Sequence, residues 1–106
     1  MTTFSDREKA FEEKYKHDQE LQFRVEVRRN KLLGLWVAEL LGKTGTDAET
    51  YAKEVIAADF DEPGVDDLVR KILADIESSG IDLSEHRLRK KIDELIATAK
   101  EQIMQE

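Results

Sequence analysis

The chain has no cysteine among its 106 residues. Disulfides, zinc–thiolate sites and cysteine nucleophiles are thereby excluded, and the composition fits a reducing cytoplasm. It has one proline and five glycines, few breakers for a chain of this length. No apolar run approaches the roughly twenty residues a membrane span requires. The opening MTTFSDREKAF has acids where a signal or transit peptide would avoid them, and it lacks an apolar core. A basic surplus is also missing: 17 Lys and Arg face 24 Asp and Glu, a formal charge of −7. Such a balance argues against whole-surface binding to nucleic acid or anionic lipid, which need a positive field. No stretch alternates apolar and polar residues long enough for a strand. What remains is rich in Ala, Leu, Glu, Lys and Arg, a helical composition, so the expected fold is all-α with one modest core.

Start and stop signals divide the chain into four helices. The first begins at Ser5, where Ser5-x-x-Glu8 has capping-box spacing, and runs to Leu41, with Gly42 in ELLGKTG as its stop. That is one helix of about 55 Å at 1.5 Å per residue. Gly34 lies inside the periodic stretch and marks a place where another helix packs closely. The second helix starts at Thr46 (Thr46-x-x-Glu49) and runs to about Phe60, with Ala48, Tyr51, Ala52, Val55 and Ile56 inward. DFDEPG is the next break, with Pro63 at or before the first turn of a third helix over Val65–Ser78. There Val65, Leu68, Val69, Ile72 and Ile76 form a helical face. Gly80 ends it. Ser84 or Asp82 caps a fourth helix, which carries Leu88, Ile92, Leu95, Ile96, Ala99 and Ile103 on one side and frays near its C-terminus. Short connections favour antiparallel neighbours, hence a four-helix bundle.

The later helices cover only part of the first. Its second half supplies Leu21, Val25, Leu32, Trp36 and Leu40 to the core, with Trp36 as the largest core residue. Residues 1–20 are left over, so the chain divides into a segment 1–20 and a four-helix domain 21–106. Mixed charge with sparse apolar residues cannot offset ordering entropy, so this segment is expected to be disordered or frayed when free. Phe4, Phe11 and Tyr15 are spaced i, i+7, i+11 and share a face when helical, a pattern suited to a partner's groove.

Other motifs have plainer explanations. GKTG at 42–45 lacks the earlier glycine of a phosphate loop, since Val37 stands there, and a helix precedes it. DFDEPGVDDLVR fails as a calcium loop: position five is Pro63 and position twelve is Arg70. Arg24, Arg28, Arg29 and Lys31 form a basic cluster, read as a solvated helix face paired with Glu20 and Glu26. His17 and His86 have no partner at i+4 and read as exposed. No nucleophile, base and orienting group can be joined, so no enzyme is indicated.

MTTFSDREKAFEEKYKHDQELQF, RRNKLLGLW, LLGKTG and DFDEPG, in this order and spacing, resemble the zeta subunit of the F-type ATP synthase of alphaproteobacteria. The likeness runs over essentially the whole chain and is looser in the third and fourth helices, where RKILADI persists. The resemblance implies a four-helix bundle and an inhibitor of ATP hydrolysis by F1, whose N-terminal segment enters a catalytic α/β interface as a helix. Phe4, Phe11 and Tyr15 would then be apolar contacts, and Arg7, Glu8, Lys9, Glu12, Glu13 and Lys14 polar ones. The family often has His or Phe at the place of Phe11 and Phe at that of Tyr15. It further implies the catalytic α/β subunits and the central stalk as partners. The location would be cytoplasmic, peripheral to the inner membrane through F1; separately, a bundle with a complete core is expected to be a monomer when free. No cofactor is called for, although weak adenine-nucleotide binding to the bundle is a property suggested for relatives. The competing reading is a general helical protein- or nucleotide-binding module with another target.

Overall fold

A run from position 4 to position 40 with no proline and only one glycine gives the longest element, α1 (Phe4–Leu40, 37 residues). The structure, a computed structural model, describes residues 4–59 and 64–106. The side chains of residues 4–16 lie outside the described residues, and with them the Ser5 capping box and the expected fraying. Three shorter helices follow: α2 (Gly45–Ala58), α3 (Asp66–Ser78) and α4 (Glu85–Gln105). Among the described residues there is no strand, and no helix is long and apolar enough to cross a membrane. The chain measures 66 × 25 × 20 Å, because α1 is roughly twice as long as its companions can cover.

Helix ends follow local chemistry. Gly42, at φ 76°, closes α1: its amide reaches the Glu39 carbonyl at 3.1 Å and the Lys43 amide reaches Ala38 at 2.8 Å. This pair of bonds satisfies carbonyls that the last turn leaves open, so GKTG is a helix stop. Gly80, at φ 71°, ends α3 in the same way, through Glu77 and Ile76 at 3.1 Å each. Ser84 caps α4, its hydroxyl accepting from the Arg87 amide at 3.1 Å. The start of α2 differs from the sequence expectation. The first turn closes at Thr44, whose carbonyl accepts from the Asp47 and Ala48 amides, so Thr46 lies inside the helix and does not cap it. The segment 60–63, with the expected end of α2 at Phe60 and the role of Pro63, lies outside the described residues.

The main core joins Leu33, Val37 and Ala38 of α1 to Tyr51 and Val55 of α2, to Leu68, Val69, Ile72 and Ile76 of α3, and to Leu88 and Ile92 of α4. A smaller cluster lies nearer the arm, with Val25 of α1 against Ala99 and Ile103 of α4, flanked by Leu21 and Leu32. The α1 seam is turned from the expected one. Only Val25 of the five expected residues is fully buried. Leu21, Leu32 and Trp36 are half-buried, and Leu40 is 38% exposed. The buried rows are Val25–Arg29–Leu33–Val37 and Asn30–Gly34–Ala38; in the second, the small residues at 34 and 38 let a neighbouring backbone come close where a bulky indole would not. Gly34 shows this directly: a Cβ there would stand 2.5 Å from the Ala52 Cα.

α2 and α3 are further joined by a polar tie. The Tyr51 hydroxyl donates to Asp75 Oδ2 at 2.8 Å, and Lys71 Nζ donates to the same oxygen at 3.1 Å. Lys71 also lies 5.4 Å from the centre of the Tyr51 ring. Burial, and then the bond to Asp75, push the phenol well above its ordinary pKa of 10.0, so Tyr51 stays a donor.

Gly34→Ala tests the close approach. Alanine gains about 1 kcal/mol of helix propensity, yet overpacking against the Ala52 backbone costs about 1–3 kcal/mol. A lower urea midpoint is expected, and an unchanged or raised one would mean that α1 and α2 separate at no cost.

Candidate functional site

The seven residues singled out as partner contacts, Phe4, Arg7, Glu8, Phe11, Glu12, Lys14 and Tyr15, all fall on α1, and their side chains lie outside the described residues. The unbroken helix fixes their positions around its axis. At about 100° per residue, positions 4, 11 and 15 fall within about 40° of one another. Arg7 and Lys14 flank that stripe on one side, Glu8 and Glu12 on the other. Lys9 and Glu13 fall on the far side of the helix.

Where α1 enters the bundle, its charges reach far along the chain. Arg24 donates to Glu106 at 3.0 Å, Arg28 donates to the same carboxylate, and Arg28 also donates to Gln102 at 3.0 Å. The last turn of α4 is therefore clamped to α1, which corrects the expectation that it frays. Arg29 and Asn30 are only 5% and 2% exposed. The Arg29 Nε donates to Asn30 Oδ1 at 2.9 Å. Both side chains then donate to Asp59 Oδ2 at the end of α2, Arg29 at 3.1 Å and Asn30 at 2.7 Å. The basic cluster is thus not a solvated face paired with Glu20 and Glu26. A buried guanidinium needs a carboxylate, and the one available lies thirty residues on. Two of the sequence signatures, RRNKLLGLW and DFDEPG, meet here in a structural contact.

At the opposite end of the bundle, Trp36 is half-buried beside α4, with Lys91 Nζ 5.3 Å from the centre of its ring. His86, Arg87 and Lys90 join it around a hollow of about 500 Å³. His17 and His86 are exposed as expected. Among the described residues no three of His, Cys, Asp and Glu gather closely enough for a metal ion. Asp59 is taken by Arg29 and Asn30, and Asp66 pairs with Arg89 at 2.9 Å, so these two acids serve helix contacts.

The bundle is built on one overlong helix, and the polar side chains at its junction hold helices together. The chain belongs to the ATPase inhibitor subunit zeta family, which matches residues 1–102. It is also similar to a protein whose solution NMR structure is known, at 49% identity and a TM-score of 0.73. That alignment covers 80% of this chain and 96% of the other. No curated protein matches the chain.

Two measurements check the junction. Asp59→Ala leaves Arg29 buried without its carboxylate and should cost about 3 kcal/mol in chemical unfolding; a loss below about 0.5 kcal/mol would show that the contact is dispensable. The hydrogen bond from Arg28, with a further contribution from Arg24, holds the Glu106 carboxyl below its ordinary 4.5. Whatever the clamp contributes is therefore present above the usual carboxylate range and lost as pH falls through the lowered value. In Arg28→Ala the carboxyl should titrate closer to 4.5 by NMR.

Proposed function

We propose that the chain is a regulatory subunit that blocks ATP hydrolysis by F1-ATPase, with residues 1–20 as its inhibitory arm and 21–106 as its anchoring bundle. The arm enters a catalytic α/β interface as a helix, and the bundle rests against the outside of F1 and the central stalk. One observation carries this reading. α1 starts at Phe4, whereas α4 ends beside Arg24 and Arg28, so a helix projects beyond the bundle with an aromatic stripe and segregated charges.

The mechanism is mechanical. Rotary hydrolysis opens and closes each catalytic interface in turn, and a helix wedged in a closing interface stops the next step. Phe4, Phe11 and Tyr15 fill apolar space. Arg7 and Lys14 on one flank and Glu8 and Glu12 on the other choose between orientations in the cleft, since charge complementarity sets register more than affinity. Rotation in the synthesis direction reopens the interface and releases the arm, so the block acts one way. The protein performs no chemistry of its own and needs no cofactor for this. It acts as a monomer, in the cytoplasm, held at the inner membrane through F1.

A second, compatible reading concerns the bundle. An indole edged by Arg87, Lys90 and Lys91 offers stacking and charge to an adenine nucleotide. Trp36 is the only tryptophan, so its fluorescence reports on that contact during an ATP titration. A flat trace at millimolar ATP would remove this reading.

The arm is tested by steady-state ATP hydrolysis with the cognate F1. Full-length protein should inhibit, and a protein lacking residues 1–20 should not, while its far-UV circular dichroism still shows a cooperatively melting bundle. Phe11→Ala with Tyr15→Ala should raise the half-inhibitory concentration at least about tenfold. Equal inhibition by the truncated protein would place the inhibitory element in the bundle.

A further inference from the structure

A groove of about 510 Å³ opens between α1 and the end of α4. Leu21 and Val25 line it from α1, and Ile96, Ile103 and Met104 from α4. Met104 is 81% exposed, the most exposed large apolar side chain among the described residues, and it continues the apolar lining out to the groove's mouth. The rim carries Asp18 and Glu26 on the α1 side and Lys100 on α4. Arg29 forms part of the floor, with its charge already engaged by Asp59.

The position of this groove sets it apart from the rest of the surface. α1 is continuous, so the arm and the groove share one helical phase. At about 100° per residue, Asp18, Gln22, Val25 and Arg29 all lie within about 60° of the line through Phe4, Phe11 and Tyr15. Gln22 follows Tyr15 by seven residues, about 10 Å along the axis. A surface that accepts the aromatic stripe meets the groove two turns later.

We infer that the α1–α4 groove is a second docking subsite for the same F1 partner that takes the arm, an inference that rests on the function proposed above. Its occupant is one or two apolar side chains of a partner helix, with a basic residue within a turn to meet Asp18 and Glu26. The chain's own arm does not fill the groove, because it leaves along the straight continuation of α1. A second copy fits poorly: a stable dimer buries about 1,200–2,000 Å², far more than a hollow for one or two side chains supplies, and acid rims on a chain of charge −7 repel. The contact makes binding bivalent. The bundle holds the arm near its cleft, raising its effective concentration there.

The test uses full-length protein. Met104→Glu puts a charge into the groove at an exposed position, so the thermal melt should not move, while affinity for F1 falls about tenfold; Met104→Leu should retain it. Because the chain has no cysteine, Met104→Cys carries a single environment-sensitive dye. Its emission should shift to the blue on adding F1, and a dye on Lys53→Cys, exposed on α2, should not respond. If wild-type protein inhibits through its arm but Met104→Glu is equally potent and the dye stays wet, the groove is not a subsite and the arm reading stands. If wild-type protein neither binds nor inhibits F1, both fall. A blue shift that grows with protein concentration without F1 would assign the groove to a second copy and overturn the inference.

Discussion

The approach of α1 to α2 at Gly34 and Ala52 governs the arrangement of everything after it. With no Cβ at position 34, the two helices pack backbone to backbone, and this fixes how far α2 can slide along α1. At that register Tyr51 and Val55 meet Leu33 and Val37, and Asp59 arrives opposite Arg29 and Asn30. The first contact is apolar and close; the second is polar and directional. Together they hold α2 at two points, as two pins define a line. α3 and α4 then cover the faces that this pair leaves open.

Much of this was legible in the sequence. Four helices, their order and most of their boundaries follow from glycine stops, one serine cap and the 3.6-residue period. The meaning of Gly34 was legible too, since a glycine inside a strong helical pattern needs a reason. What escaped were features that depend on partners distant in the chain. Arg29 looks like its charged neighbours until Asp59 is placed beside it. Glu106 looks like a terminal residue until Arg24 and Arg28 reach it. The α1 seam follows fit and not size: Trp36 and Leu40 are the larger apolar residues, but Gly34 and Ala38 are the ones that admit a neighbour. The α1–α4 groove had no signal beyond Met104, whose exposure no periodicity reveals.

One helix meets two opposed requirements. From Val25 to Ala38 it buries small and branched residues and even an arginine. From Phe4 to Glu20 its sequence is charged, with aromatics at one phase. Family membership over residues 1–102 supports an inhibitor's role, and the proposed division of α1 would give that role a physical form, one half folded into the bundle and the other offered to a partner.

Because both halves belong to a single rod, α1 acts as a ruler. The depth at which the aromatics sit, measured from the bundle, is counted in residues at about 1.5 Å each, and their direction is counted at about 100° each. Losing one residue between Tyr15 and Leu21 would turn the stripe by more than a quarter of a circle relative to the groove. Inserting seven there would instead keep the direction and lengthen the reach by about 10 Å. Length and phase in this segment are thus separate quantities, and the helix stores both without any side chain having to encode them.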